Sequence, residues 1–235
     1  MSANLFKQPT PRWKYYVGSK ILSTARLLTA LGEKTGVECL IYNPIAQYGF
    51  ERAARRNAPI TCSSILELFP ETKSVLDIGC ASGVYTAEFR SLGVDAIGVE
   101  YSSKLRRKAA RRGVTVYPFD VSIPTPSPSE GPFDLAMSLE VAEHVPPQFA
   151  DAFAGYFKGL CRRIVFTAAQ AGQGGTSHLN EQPREYWIEK FQRVGFGLDE
   201  QATHDLAALW RNRGAHWYLP KNLSVFVAHS RDLSP

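Results

Sequence analysis

The sequence has little cysteine and no unbroken apolar run long enough to cross a bilayer. Its four cysteines, Cys39, Cys62, Cys80 and Cys161, are scattered without a Cys-x-x-Cys pair. That excludes a disulfide scaffold and a zinc knuckle, and fits reduced thiols in a cytosolic protein. A membrane helix needs about 20 consecutive apolar residues, so no membrane partner is expected. The first residues, Met1 to Lys7, lack the charged-then-apolar plan of a secretory leader, which again points to a cytoplasmic location. Internal repeats are absent. Only 21% of residues are charged, with a net charge of +5. Much of the excess lies in Lys104, Arg106, Arg107, Lys108, Arg111 and Arg112. Positions 104, 107, 108 and 111 share one helical face and the segment is almost free of aromatics, so it reads as a solvated helix surface. Nucleic acid is therefore not the expected partner.

What is present is core. Hydrophobic residues make up 44% of 235, enough for one sizeable α/β domain. From about Ser74 strand and helix signals alternate. Strands are expected at Ser74 to Ile78, Val94 to Val99, Val114 to Tyr117, Phe133 to Leu139, Ile164 to Ala168 and Leu223 to Ala228. Helices are expected at Val84 to Leu92, Lys104 to Arg112, around Phe149, Phe153 and Phe157, and at Pro183 to Val194. Ser122 to Pro132 and Gln170 to Gln182 read as loops. The alternation predicts a parallel sheet covered on both faces. Residues 1–70 stand outside it, with helical patterning at Ile21 to Leu31 and Ile45 to Arg56, and Ile60 to Phe69 leading into the first strand. They are read as a helical cap on a core of residues 71–235.

The first strand ends in Asp77-Ile78-Gly79-Cys80-Ala81-Ser82-Gly83, an acid followed by a glycine turn that opens a helix. Such a turn lets a ligand lie against bare backbone. A dinucleotide fingerprint would need glycine at 81 and 84, where Ala81 and Val84 stand. A ligand without pyrophosphate, S-adenosylmethionine, needs close backbone approach and suits the carboxylate of Asp77. Glu100, Asp120 and Leu139-Glu140 fall at the next three strand ends, where open α/β sheets bind ligands.

The Asp-x-Gly-x-x-x-Gly turn with an acid ending the next strand resembles class I S-adenosylmethionine-dependent methyltransferases. The segment from Phe133 to Pro146 resembles the fourth-strand region of the ubiquinone-biosynthesis O-methyltransferases and their small-molecule relatives. The resemblance covers the last two-thirds of the chain. It implies a Rossmann-like, doubly wound, mostly parallel seven-stranded sheet. It also implies S-adenosylmethionine as cofactor, with S-adenosylhomocysteine as product. The implied cofactor contacts are Asp77, Gly79, Cys80, Ala81 and Gly83 for the methionine part and Glu100 for the ribose hydroxyls. Tyr101 then packs on adenine, Asp120 and Val121 bond the adenine edge, and Leu139 and Glu140 lie below the sulfonium. The family usually has glycine where Ala81 stands, and a positive φ there would be strained.

Glu140, Glu143 and His144 have i, i+3, i+4 spacing and would share one side of a helical turn. His178 and Asn180 lie in the Gly-rich loop after strand five. One reading makes His144 or His178 a general base, with Glu143 beside it. A second makes the set a divalent metal site, as in the similar small-RNA 2′-O-methyltransferases. A third makes Glu143 and His144 a local pair that closes the pocket. The first is preferred, with no metal assigned. Gly172 to Pro183, followed by Tyr186-Trp187, resembles a pattern of small-molecule and sugar-directed methyltransferases and is a candidate lid. Tyr15, Tyr16, Tyr42, Tyr48, Phe50, Trp210, Trp217 and Tyr218 are candidate walls of an acceptor pocket. The expected activity is methyl transfer to a hydroxyl or amine of a small molecule. Alternatives are a metal-dependent RNA ribose methyltransferase and a cofactor-binding module without catalysis. A homodimer is an assembly left open.

Overall fold

The computed structural model describes residues 27–28, 31, 44–128 and 131–229. The chain forms two compact units, Met1–Phe50 and Glu51–Pro235. The described residues of the first are helical. Tyr15, Tyr16, Tyr42, Cys39 and most of the helix expected at Ile21 to Leu31 lie outside the described residues.

Helix α1 runs from Pro44 to Leu68. Two separate segments were expected on either side of Pro59; instead the helix passes through it. Proline removes one backbone donor from the ladder. In the turns beyond it, Thr61, Ser63 and Ser64 hydroxyls donate back to the carbonyls of Asn57, Pro59 and Ile60. Buried Cys62 and Ile65 fix its inner face, and buried Phe69 follows its last residue.

The strands are β1 (Ser74–Ile78), β2 (Asp95–Glu100), β3 (Val116–Pro118), β4 (Phe133–Leu139), β5 (Cys161–Thr167), β6 (Phe196–Leu198) and β7 (Ser224–Ala228). Their order in the sheet is β3-β2-β1-β4-β5-β7-β6. The first five pair in parallel, and β7 runs antiparallel to β5 and β6. This is the mostly parallel seven-stranded sheet that the resemblance implied, with its antiparallel pairing confined to one edge. Residues alternate between two cores by the pleat. Leu76, Ile78, Ala136, Ile164 and Phe166 face one layer; Val75, Leu135, Met137 and Val165 face the other.

Helices α2 (Val84–Ser91), α3 (Ser103–Ala110), α4 (Ala150–Tyr156), α5 (Arg184–Arg193), α6 (Glu200–Asn212) and α7 (Tyr218–Asn222) cover the faces. Strand β6 and helices α6 and α7 were not expected. The signal for α6 was present: Asp199 caps it by accepting from the Ala202 N–H at 2.9 Å, and Ala202, Leu206, Ala207 and Trp210 line its buried side. Trp210 is therefore core, not a pocket wall, and Phe153, Phe157, Trp187 and Phe191 are buried core as well. Tyr48, Phe50 and Trp217 are exposed. Among the described residues no helix is long and apolar enough to cross a membrane. Cys62, Cys80 and Cys161 are free and buried.

The basic helix α3 is partly used inside the fold. Arg106 donates to the Glu100 and Tyr101 carbonyls. Lys108 and Arg112 pair with Glu51, and Arg112 Nε also donates to the Ser82 carbonyl at 2.9 Å. Burial alone would raise the Glu51 pKa, but hydrogen bonds from Arg55, Lys108 and Arg112 outweigh it and hold it at about 2. A carboxyl whose folded pKa lies below its unfolded value of 4.5 stabilises fully above that value, and the contribution fades as pH falls toward 2. Allowing for partial exposure, this is worth about 1–2 kcal/mol. Glu51→Gln is expected to shrink the stability difference between about pH 7 and about pH 3 by that amount, read by urea unfolding. An unchanged difference would refute the linkage.

Candidate functional site

The chain leaves β1 toward β2 and β3 on one side and returns to place β4 on the other, so the sheet order reverses between β1 and β4. Loops following these strands meet there, as ligand crevices of open sheets do. Gly79 has φ 77°, and a Cβ on it would lie 2.6 Å from both methyls of Val141 after β4. Only glycine lets the two loops approach this closely. Gly83, at φ 72°, starts α2 in the left-handed region. The Gly79 and Cys80 N–H groups both donate to the Val99 carbonyl, at 2.9 and 3.1 Å. The turn is thereby tied to β2.

Three residues other than glycine have positive φ among the described residues: Ala81 (48°), Glu140 (54°) and Ser177 (57°). All three lie in segments picked out from the sequence. Such strain persists only where surroundings enforce it. At Ala81 the enforcer is Glu100, whose Oε2 accepts from the Ala81 N–H at 2.9 Å. Its Oε1 accepts from the Ser102 N–H at 2.7 Å. The carboxylate thus joins the β1 turn to the β2 end, and Glu100 itself is 8% exposed.

Asp77 is buried, and its Oδ2 accepts from the Thr86 hydroxyl at 2.6 Å. Burial, helped by the nearby charge of Glu100 and opposed by the Thr86 hydrogen bond, pushes its pKa up to about 7. A cationic group arriving there would favour the ionised form. Asp120 Oδ1 accepts from both the Ser122 N–H and hydroxyl, with Val121 half-buried beside it. Tyr101 stands 62% exposed next to Glu100.

After β4 the expected helical turn is shorter than the spacing suggested. A 3-10 turn covers Ala142–His144 only, and Glu140 precedes it in the left-handed conformation. The expectation that Glu140, Glu143 and His144 share one helical side is therefore corrected. Glu140 is taken up elsewhere: its Oε1 accepts from Asn222 Nδ2 at 3.0 Å and its Oε2 from Gln173 Nε2 at 3.0 Å. Leu139, the last residue of β4, is half-buried and packs against the core layer beside α1.

Glu143, His144 and His178 do come together, with one ligand atom from each within 4.8 Å of the others. His144 Nδ1 lies 3.0 Å from the Ser177 carbonyl, which can only accept. That fixes the proton on Nδ1 and leaves Nε2 a lone pair. Burial, opposed by the Ser177 hydrogen bond and aided by His178, lowers the His144 pKa, so the ring is neutral. The His178 ring stands edge-on to it at 5.1 Å between centroids. His178 Nδ1 meets Glu181 Oε1 at 2.7 Å, and its Nε2 lies 4.0 Å from Glu143 Oε1. Glu143 is fully buried, next to the Glu140 carboxyl. Burial, with the neighbouring Glu140 carboxylate, pushes its pKa up against the backbone hydrogen bonds of Glu143 and Ala169.

The Gly-rich loop is ordered around a residue that sequence reasoning passed over. Glu181 accepts from the Gly172 and Gly174 N–H groups at 2.9 and 2.7 Å and holds His178. The His178 hydrogen bond is the chief cause of its lowered pKa. The loop is also latched to β4: the Leu179 and Asn180 N–H groups donate to the Glu143 carbonyl. An acid three residues after a histidine in a glycine loop was the only signal available for this role.

A family model described as a methyltransferase domain matches residues 50–214. The ubiquinone biosynthesis O-methyltransferase of Nitrosococcus oceani is 32% identical over 140 residues, covering 57% of this chain and 55% of that protein. Its counterpart in Methylococcus capsulatus is 32% identical over 151 residues, covering 59% and 57%. The chain thus spans little more than half the length of these relatives. Among solved structures, an amino pentose methyltransferase of Micromonospora echinaspora, with S-adenosylmethionine bound, superposes at a TM-score of 0.59 and 13% identity. That match covers 80% of this chain and 98% of the other. A sugar N-methyltransferase of Streptoalloteichus gives 0.56 and 16%, over 74% and 87%. At such identities the likeness establishes a shared fold.

Proposed function

We propose, because this chain belongs to the methyltransferase-domain family, that it is an enzyme moving a methyl group from S-adenosylmethionine to a hydroxyl or amine of a small molecule. The product of the cofactor is S-adenosylhomocysteine. The observation that carries the reading is the pairing of two features at one sheet reversal. One is a strained backbone turn braced by a buried acid; the other is a cup of two imidazoles and a carboxylate.

The turn from Gly79 to Gly83, Cys80 and Ala81 included, offers bare backbone to the methionine part. Asp77 draws its ammonium group. Glu100, whose carboxylate joins the Ala81 and Ser102 N–H groups, takes the ribose hydroxyls. Tyr101 covers one adenine face, and Asp120 with the Val121 amide meets the adenine edge. Leu139 and Glu140 lie toward the sulfonium. The acceptor's oxygen or nitrogen lone pair attacks the methyl carbon as the carbon–sulfur bond breaks, and its electrons return to sulfur. The acceptor's proton passes to an imidazole nitrogen of His144 or His178. The donor is already a strong electrophile, so positioning and removal of one proton suffice.

The names of the relatives point to ring hydroxyls and amino sugars as acceptors to try first. Calorimetric titration should show one molecule of S-adenosylmethionine bound per chain. Release of S-adenosylhomocysteine should rise with a phenolic or amino-sugar acceptor in a panel. Absence of cofactor binding would overturn the whole reading. Binding without turnover on any hydroxyl or amine would leave a binding module instead.

A further inference from the structure

We propose that a recess at the carboxyl end of β5 is a subsite for two neighbouring hydroxyl groups of the methyl acceptor, a polyhydroxylated ring of the sugar type. The recess holds about 200 Å3 and is lined from β5, the start of α5 and the junction of α7 with β7. Strand β7 runs antiparallel to β5, with Ser224 opposite Phe166. Both walls therefore lie at the end of the sheet where open α/β folds take their ligands.

Two buried polar atoms on these walls lack a partner. Trp187 is 2% exposed, and its indole N–H makes no hydrogen bond among the described residues. Asn222 is 3% exposed, and its Oδ1 accepts none among them. Both residues line the recess. One atom is a donor and the other an acceptor, yet they do not bond each other. Buried polar groups left unpaired are costly and call for an explanation. A carboxylate between them would answer the indole N–H but press its charge against the Asn222 carbonyl. An ammonium group would do the reverse. A hydroxyl answers both, accepting from Trp187 and donating to Asn222. The two are held ready for it. The Trp187 ring packs against Phe153 and Phe166, and Asn222 Nδ2 donates to Glu140 Oε1 and Gln173 Oε1 at 3.0 and 2.9 Å.

Arg184 provides for a second oxygen. It stands three residues before Trp187 in the first turn of α5, so the two share one side of the helix. Its Nε donates to Ser224 Oγ at 2.9 Å, and its terminal nitrogens make no other hydrogen bond among the described residues. Gln182 beside it spends Nε2 on Asn180 Oδ1 at 3.0 Å and keeps its carbonyl oxygen as an acceptor. A hydroxyl on the adjoining ring carbon accepts from Arg184 and donates to Gln182. The recess also shares its walls with the cup: Asn222 holds Glu140, and the Asn180 N–H donates to the Glu143 carbonyl at 3.0 Å. That the bound ring is the methyl acceptor rests on the methyltransferase reading; the pairing of the orphaned atoms by a hydroxyl does not.

The test uses the isotope-labelled full chain with S-adenosylhomocysteine present. The probe is a methyl glycoside of an amino pentose with two neighbouring free hydroxyls. The chain has four tryptophans, and Trp187→Phe, or through-bond assignment where that variant does not fold, identifies the Trp187 indole N–H resonance. Titration should move this signal. The Trp210 signal should stay, since that indole also lacks a partner but lines no part of the recess. Glycosides lacking either hydroxyl should bind about tenfold more weakly. Arg184→Met should raise KM for the glycoside about tenfold and change kcat less than about threefold, as for a group that positions substrate. An unmoved Trp187 signal, which would leave the recess to a water molecule, overturns the proposal; so does equal affinity for the deoxy forms. A phenolic carboxylate without neighbouring hydroxyls moving Trp187 more than the glycoside does would make this an anion site and overturn it too. Failure here stays distinct from failure of the methyltransferase reading: cofactor binding with turnover of an acceptor that leaves Trp187 unmoved overturns the subsite alone.

Discussion

Glu100→Gln is expected to lower affinity for S-adenosylmethionine by about 10- to 100-fold, the range for losing a hydrogen bond to a buried charge. The two oxygens of Glu100 face two donors, the Ala81 and Ser102 N–H groups. A glutamine can satisfy one of them; its amide nitrogen then confronts the other, donor against donor. If Ser102 keeps its acceptor, the Ala81 N–H loses the bond that holds residue 81 at φ 48°. A left-handed alanine costs about 1–2 kcal/mol, so the turn relaxes away from the shape that meets the ligand. A ribose hydroxyl also loses a charged acceptor. The same variant should melt lower, because the β1 turn and the β2 end are no longer joined through one carboxylate. Calorimetry with S-adenosylmethionine and S-adenosylhomocysteine should show the same fractional loss for both, since ribose and turn contacts are common to them. Unchanged affinity would show that Glu100 serves the fold and not the cofactor.

The turn could be read from the sequence because its chemistry is local. An acid, two glycines and the start of a helix lie within seven residues, Asp77 to Gly83, and each constrains the next. Strand β4 was equally plain, a nearly continuous apolar run from Phe133 to Leu139. Strand β6 holds three residues, too short to show a period, whereas the equally short β3 was expected two residues early, from Val114. β6 exists because its neighbour β7 pairs with it antiparallel, a condition set far away in the chain. Helix α1 crosses Pro59 because neighbouring hydroxyls and a buried face support it, which local propensity does not register.

The cup was legible as residue types but not as geometry. Glu140 looks equivalent to Glu143 in the spacing; a single backbone angle separates them. That angle is held by hydrogen bonds from the Glu140 N–H to the Thr167 carbonyl and hydroxyl, both at 3.0 Å, across 27 residues of chain. The role of Glu181 depends in the same way on Gly172 and Gly174 folding back onto it. Strain at Ala81 was foreseen as a conditional; the condition, a positive φ, is met because Glu100 is placed by a different strand.

The effect expected to be largest is on turnover. His178→Ala should cut methyl transfer by about 10²- to 10⁴-fold, the usual contribution of a group that manages a proton in the transition state. Affinity for S-adenosylmethionine should stay within about threefold, because the ring lies among His144, Glu143 and Glu181 and outside the turn from Gly79 to Gly83 braced by Glu100. The loop should keep its course. Glu181 still accepts from the Gly172 and Gly174 N–H groups, and the Leu179 and Asn180 N–H groups still bond the Glu143 carbonyl. A melting temperature close to that of the wild type would check this. The loss therefore belongs to the His178 ring and its handling of the acceptor's proton. Equal losses in turnover and cofactor affinity would place His178 in the cofactor pocket and move the search for the acceptor site away from this loop.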